Sequence, residues 1–344
     1  FEVHIATEFT SHKKFLKKKG FITHDIAFGR NSANLLRAFV SFSQIFFLIK
    51  RVKPSILHLI SLKPSIFGGL VTFISRVPSV VISITGLGSM FLGKNLFSRI
   101  RKFFFNSLLT IVFLRKKLKV ILQNKSDLNY LIRNTSLKKS KVITIKGSGV
   151  DLKKFKFSKL PLKNLIILMV SRIIADKGIY EYIQSARLLK RRSFKGKIYL
   201  VGDIDFSNPS AIQKSKIDLW KKENIIKYFP YKSDIFKIIK KSTIIVLPSY
   251  REGFPKILME AAASGRPVIT TNVPGCRDAI INNVTGILVP PKNYISLAKA
   301  ILDFSKDKKK LKKIGYAARK HAINNFDVID VVSKHLSIYR SLIN

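Results

Sequence analysis

Short apolar runs alternate with helix-periodic stretches from one end of this chain to the other, and this alternation constrains the fold most. Candidate strands in the first half are Val3–Ala6, Thr23–Phe28, Ile56–Ile60, Val80–Ile84, Val120–Gln123 and Val142–Ile145. The second half offers Leu165–Val170, Ile198–Val201, Ile225–Phe229, Thr243–Leu247, Val268–Thr271 and Gly286–Val289. Helical stretches separate most of them. In Ile179–Lys190, for example, Ile179, Tyr182, Ile183, Ala186 and Leu189 mark one apolar face. Repeated βα units join parallel strands through right-handed crossovers. Two such sets predict an α/β chain of two doubly wound, Rossmann-like domains, and 344 residues suffice for both.

The boundary falls near Ser148–Lys163, where Gly147, Gly149, Pro161 and a lysine-rich coil lack periodicity. Gly147 and Gly149 suit a linker because glycine reaches positive φ without steric cost. The expected division is a first domain at residues 1–155, a second at 156–327 and a C-terminal helix at 328–344. The chain opens on Phe1, and Glu2-Val3-His4-Ile5-Ala6-Thr7 already reads as strand. The first domain is therefore expected to be truncated at its start.

One cysteine, Cys276, excludes an internal disulfide framework and a cysteine-rich metal site. A reducing compartment fits. The net charge of +45 admits three readings: nucleic-acid binding, attraction to an anionic membrane surface, or a lysine bias that only solvates the surface. No uncharged apolar run clearly reaches the roughly 18–20 residues of a membrane helix. The run from Val77 to Gly93 comes near, but it contains Pro78 and three glycines. It reads better as strand, loop and the start of a new element. No stretch resembles a signal peptide.

Chemistry concentrates in Ser249-Tyr250-Arg251-Glu252-Gly253-Phe254-Pro255-Lys256-Ile257-Leu258-Met259-Glu260. A strand runs directly into this segment. Pro255 suits the first position of a helix through Ser264, and Gly265 closes it. Glu252 then lies in the loop at the carboxyl end of a strand and Glu260 on the helix beyond. The free amides of that helix start favour an anion. Carboxylates for hydroxyls and amides for pyrophosphate are what a nucleotide sugar needs. A second constellation, Val170-Ser171-Arg172-Ile173-Ile174-Ala175-Asp176-Lys177-Gly178, opens the second domain. Arg172 offers a planar fork and Lys177 a point charge, both suited to pyrophosphate. Asp176 is placed to cap the following helix. Taken alone, both cations could be ordinary surface charges.

The second half resembles glycosyltransferase family 4, with the two-domain GT-B fold. The matching segments are Ser171-Arg172 with Lys177-Gly178, then Leu247-Pro248-Ser249 with Glu252-Gly253-Phe254-Pro255. The glutamates follow the family's spacing of seven intervening residues. Gly265-Arg266-Pro267-Val268, Val273-Pro274-Gly275 and the stretch from Asn283 through Gly286 to Pro290 continue the match. The first half matches more loosely, through Lys63-Pro64, Gly86-Leu87-Gly88, Gln123-Asn124 and Gly147-Ser148-Gly149-Val150-Asp151.

The resemblance implies a retaining transferase that needs no metal or other cofactor and faces its donor across an interdomain cleft. Arg172 and Lys177 would bind the donor pyrophosphate. Glu260 would hold the ribose hydroxyls, and Glu252 would contact donor-sugar hydroxyls near the reacting centre. Gly253, Phe254, Pro255 and Lys256 would line the donor site, with amides of this stretch on sugar and phosphate. Glu252, Arg172 and Lys177 are thus the expected catalytic residues. The donor would be a UDP-sugar and the acceptor a glycan, polyprenyl-linked, with no nucleic acid partner.

Some features stand apart. Asp203-Ile204-Asp205 mimics a metal-binding Asp-x-Asp motif, but Ser207-Asn208-Pro209 follows and the composition is also that of a turn. Many relatives carry a histidine after a first-domain strand. Here the position holds Ile84-Thr85-Gly86-Leu87-Gly88, so no general base is assigned. His4, His24 and His58 read as core or strand-end residues, and Cys276 as a buried small residue. Arg99–Lys119 and Leu35–Lys53 are apolar stretches bounded by cations. Each suits a helix packed on the sheet or one lying at a membrane interface. A lipid-linked acceptor favours peripheral attachment to the inner face of the plasma membrane, from the cytoplasm. Two further readings are a basic nucleic-acid-binding protein and a GT-B nucleotide-sugar epimerase.

Overall fold

The computed structural model describes residues 1–343, except 10, 28–34, 89, 90, 92, 94, 232 and 233; the side chains of 35–39 also lie outside the description. Each expected strand is present, most with ends moved by no more than two residues. The strand expected at Thr23–Phe28 runs from Ile22 to Asp25, and Phe28 lies outside the described residues. So does part of the Val77–Gly93 run, in which Ser79–Ile84 is a strand.

In the first half, β1 (His4–Thr7) and β2 (Ile22–Asp25) form a parallel pair of their own. β3 (Ile56–Ile60), β4 (Ser79–Ile84), β5 (Leu118–Leu122) and β6 (Val142–Thr144) make a parallel sheet in sequence order. The second half holds β7 (Ile166–Val170), β8 (Lys197–Val201), β9 (Lys227–Phe229), β10 (Ile244–Leu247), β11 (Val268–Thr271) and β12 (Gly286–Val289). These pair in parallel in the order β12-β11-β10-β7-β8-β9.

The six-stranded sheet is covered on both faces because alternate residues of each strand point to opposite sides. Ile167, Met169, Ile244 and Val246 pack with the Ile179–Arg191 and Tyr294–Lys306 helices. Leu168, Val170, Ile245 and Leu247 pack with the Lys256–Ala263 and Lys308–Asn325 helices. Continuous apolar strands are the sequence mark of a parallel sheet buried on both faces.

The first sheet obtains its second cover from the far end of the chain. Val80, Ile82 and Val120 face the Leu62–Ser75 and Leu96–Phe113 helices. Val81 and Ile121 face Val331, Ile338 and Leu342 of the C-terminal helix Val328–Ile343. His58 on β3 anchors this helix: Nδ1 lies 2.7 Å from the Tyr339 hydroxyl and Nε2 lies 2.7 Å from Ser83 Oγ. Burial, helped by His335, pulls the His58 pKa down to about 4. The Ser79 hydroxyl donates to the Leu342 carbonyl at 3.0 Å.

Two strands of chain therefore cross between the halves, side by side. The Val150 amide donates to the Phe326 carbonyl and the Val328 amide to the Val150 carbonyl, at 2.8 and 3.1 Å. Gly149 has φ +74°, and a Cβ there would come within 2.7 Å of Val328 Cα.

Away from the crossing, the halves meet backbone to backbone. A Cβ on Gly253 would lie 1.6 Å from the Thr85 carbonyl oxygen, and one on Gly86 would lie 2.8 Å from Gly253 Cα. Asn124 Nδ2 donates to the Gly253 carbonyl at 3.0 Å. Arg251 pairs with the buried Asp127. Asn124 and Asp127 are fixed in turn by the N-cap of the Lys125–Asn134 helix, where Asn124 Oδ1 accepts from the Asp127 amide at 2.8 Å.

Gly253→Ala is expected to force the halves apart, lowering Tm and raising the radius of gyration in solution scattering. An unchanged radius would show that this contact does not set the closure. His58 makes a second prediction. It is neutral in the fold and protonates near pH 6.5 when unfolded. Its contribution is thus present above about pH 6.5 and is lost as pH falls towards 4. His58→Gln should flatten that part of the acid-side decline of Tm.

Candidate active site

The order of the six-stranded sheet reverses direction at β7, whose neighbours are β8 and β10. In open parallel sheets, ligands sit at such a reversal, outside the carboxyl ends of the strands. The loops that leave β7 and β10 are the two that carry the motif residues. They are packed on each other. Gly178 takes φ +72°, and a Cβ there would lie 2.1 Å from the Pro248 carbonyl oxygen. The Tyr250 amide donates to the Asp176 carbonyl at 2.9 Å. Tyr250 is further held by its hydroxyl, which donates to Glu181 at 2.7 Å.

Asp176 does not cap the helix as expected. It lies in a 3-10 turn, Ala175–Lys177, and Gly178 stands at the N-cap with no side-chain cap. The left-handed turn at Gly178 uses up the position from which an N-cap side chain would reach back.

Lys177 and Glu252 meet where the loops touch. Nζ lies 2.5 Å from Oε1, and the side chains keep only 18% and 12% of their surface exposed. Ser249 Oγ donates to the same carboxylate oxygen at 2.7 Å. The Glu252 amide donates to the Pro274 carbonyl at 3.2 Å, and Gly275, at φ +79°, allows backbone to pass close to Glu252 and Gly253. Val273-Pro274-Gly275 thereby braces the loop from behind.

Pro255 is the N-cap of the Lys256–Ala263 helix, not its first residue, and it carries no N–H. The Leu258 amide donates to the Pro255 carbonyl at 3.1 Å, so the donors at this end are the amides of Lys256 and Ile257. Phe254 is buried and stacks edge-on against Phe326 at 5.6 Å, so its side chain belongs to the core. What it can present to a ligand is backbone. Glu260 is buried one turn further on, with Lys256 Nζ at 3.7 Å. Burial raises its pKa above the usual carboxylate value, against the pull of the nearby lysines.

Arg172 stands apart from this group. It is 59% exposed and pairs with Asp205 at 2.6 Å, with no hydrogen bond to Lys177, Glu252 or Glu260. Asp205 also accepts from Ser207 Oγ at 2.6 Å, and Asp203 accepts from the Tyr231 amide at 3.0 Å. Both aspartates of the Asp-x-Asp mimic thus bind protein groups, Asp203 the backbone after β9 and Asp205 both Arg172 and Ser207. Among the described residues, no three His, Cys, Asp or Glu side chains gather as a metal site would require. Cys276 is buried, and burial pushes its thiol up to about 12, which suits a packing residue.

The structure therefore joins Lys177 to Glu252 beside Gly253 and the helix start, with Glu260 one turn along that helix, and holds Arg172 on Asp205. Asn124, Asp127 and Arg251 also support this site, and the sequence reading assigned them no role. Asn124 and Asp127 carry a helix-start signature, an asparagine three residues before an aspartate. That signature says nothing of Gly253 or Arg251, more than a hundred residues away.

Residues 150–321 match the family described as glycosyl transferases group 1, and residues 1–125 match the one described as glycosyl transferase 4-like. The chain is 29% identical to the N,N'-diacetylbacillosaminyl-diphospho-undecaprenol alpha-1,3-N-acetylgalactosaminyltransferase of Campylobacter jejuni, over 99% of this chain and 92% of that protein. It is 24% identical to the UDP-Gal:alpha-D-GlcNAc-diphosphoundecaprenol alpha-1,3-galactosyltransferase of Escherichia coli, over 90% and 81%. The crystal structure of a glycosyltransferase from Rickettsia africae superposes with a TM-score of 0.75 at 26% identity, covering 99% of this chain and 90% of that one. The paired parallel sheets, the motif loops at the sheet reversal and these matches place the chain in the glycosyl transferases group 1 family, with the GT-B fold.

Proposed function

We propose that the protein is a retaining, metal-independent glycosyltransferase that moves a sugar from a UDP-sugar to an undecaprenyl-diphosphate-linked glycan in bacterial surface polysaccharide synthesis. The observation that carries this reading is the Lys177–Glu252 pair at the sheet reversal, beside the start of the helix bearing Glu260. The two relatives compared above are named for undecaprenyl-linked acceptors, and one of them for a UDP-sugar.

In this reading the diphosphate lies over the helix start and takes Lys177 from Glu252 and Arg172 from Asp205. Each cation is held by a carboxylate until a stronger anion arrives. Glu252, released, accepts hydroxyls of the donor sugar while Ser249 keeps it oriented. Glu260 accepts the ribose hydroxyls. As the glycosidic bond breaks, negative charge collects on the departing diphosphate. Lys177, Arg172 and the amides stabilise it, the task a metal ion performs in other enzymes. The first half binds the acceptor, and closure against Thr85–Gly86 excludes water that would hydrolyse the donor. The protein acts from the cytoplasm at the inner face of the membrane. Among the described residues, no helix is long and apolar enough to cross a membrane.

Calorimetric titration of UDP, with GDP for comparison, tests the site. UDP should bind selectively. Glu260→Gln should weaken it by about 10- to 100-fold, the worth of hydrogen bonds to a charged group. The same variant should have a higher Tm than the parent at neutral pH without ligand. The raised pKa means that ionising Glu260 in the fold costs stability as pH climbs past 4.5, and glutamine avoids that cost. Unchanged UDP affinity in the variant would refute the assignment. Arg172→Ala should leave UDP affinity within severalfold and lower turnover by about 10²–10³, the scale of losing one preorganised donor to a developing anion. Equal losses in affinity and turnover would place Arg172 in ground-state binding instead.

A further inference from the structure

We propose that the outward face of the Leu96–Phe113 helix is the surface by which the protein inserts into an anionic lipid bilayer. Unlike an ordinary surface helix, this helix is apolar on its outward side as well as its inward one. Its inward side carries Leu109, Val112 and Phe113, buried against the first sheet. Its outward side carries Leu96, Phe97, Ile100, Phe103, Phe104 and Ile111, all exposed. At 100° per residue these six fall within a stripe about 120° wide. Phe97 and Phe103 keep 72% and 75% of their surface exposed. Arg99 is the charged residue on this exposed side of the helix. Leu114 continues the stripe past the last turn. Phe73 and Ile74 extend it onto the neighbouring Leu62–Ser75 helix, where the Arg115 guanidinium lies 6.0 Å from the Phe73 ring.

Charge decides what covers this face. Exposed Arg99, Arg76, Lys116 and Lys117 lie beside the apolar stripe or at its end, and the whole chain carries 64 cations against 19 anions. A second copy would bring the same cations face to face. A bilayer with anionic headgroups takes the rings into its acyl boundary and pairs the cations at its surface. Topology sets the orientation. The helix follows β4, so its first turns lie at the carboxyl end of that strand, where Thr85–Gly86 meets Gly253. Insertion of Phe97, Phe103 and Phe104 places that end of the first sheet against the membrane. This deepens the reading of a lipid-linked acceptor and rests on it for its purpose, but not for its test.

The test is co-sedimentation with vesicles containing phosphatidylglycerol, and with vesicles of phosphatidylcholine alone, without donor or acceptor. The protein should bind the anionic vesicles more tightly. The triple variant Phe97→Ser, Phe103→Ser, Phe104→Ser should lose at least ~10-fold in affinity while keeping its Tm and circular dichroism. Lys308→Gln with Lys309→Gln and Lys312→Gln, on the second domain, should change affinity by no more than about twofold. A polarity-sensitive dye on Phe103→Cys should shift to the blue on adding anionic vesicles, and one on Tyr316→Cys should not. Undiminished binding by the folded triple variant, or no shift at position 103, would overturn the proposal. So would a concentration-dependent dimer that the triple variant dissolves while vesicle binding persists. If UDP fails to bind but the vesicle results hold, the donor-site reading falls and this one stands.

Discussion

The structure turns on a contact with no side chain on one side of it. Gly253 lies so close to the Thr85 carbonyl, and Gly86 so close to Gly253, that a methyl group on either would overlap backbone of the other half. Backbone is the least compliant part of a folded chain, so this contact limits how closely the two halves approach. The loop that makes it is also the loop that carries Glu252. Closure of the molecule and position of the carboxylate are therefore one geometric fact. The Arg251–Asp127 pair and the Asn124–Gly253 hydrogen bond hold the same loop from its other side.

Around that contact the molecule spends stability on charge. Lys177 and Glu252 are both largely removed from water, and such a pair offsets its desolvation only when its hydrogen bonds are good. Ser249 supplies one of them. Glu260 is a buried carboxylate whose ionisation the fold opposes. Neither arrangement suits a residue chosen for stability alone. Under the proposed function, both suit groups that meet a polyhydroxylated anion with their own water already removed. The same tension holds for the Leu96–Phe113 helix, whose exposed rings cost hydrophobic free energy in water and regain it where water is absent.

Much of this was legible in the residues. Apolar runs of four to six residues, interrupted by periodic helices, gave the strands and the parallel class, because a strand buried on both faces must be apolar throughout. The Glu252–Glu260 spacing and its proline marked a loop passing into a helix, and the helix begins one residue later than expected. Asp176 does not cap the helix because Gly178 enters the left-handed region, which no local propensity of the aspartate reveals. The roles of Asn124, Asp127 and Arg251 were out of reach, since their partners are remote in sequence and met only when the halves closed.

The sequence by itself determined the α/β class, the strand positions and the chemistry of the two motif loops, because periodicity, turn residues and charge types act locally. Tertiary structure alone decided which loops touch. It paired Lys177 with Glu252, diverted Arg172 to Asp205 and brought the C-terminal helix back across the molecule to cover the first sheet. It also decided that the Leu96–Phe113 helix buries one apolar side and exposes the other, since a helix apolar on both sides does not state which side a sheet will take. Each of these outcomes depends on sheet order and on the meeting of distant backbone, and neither is written in any short stretch of residues.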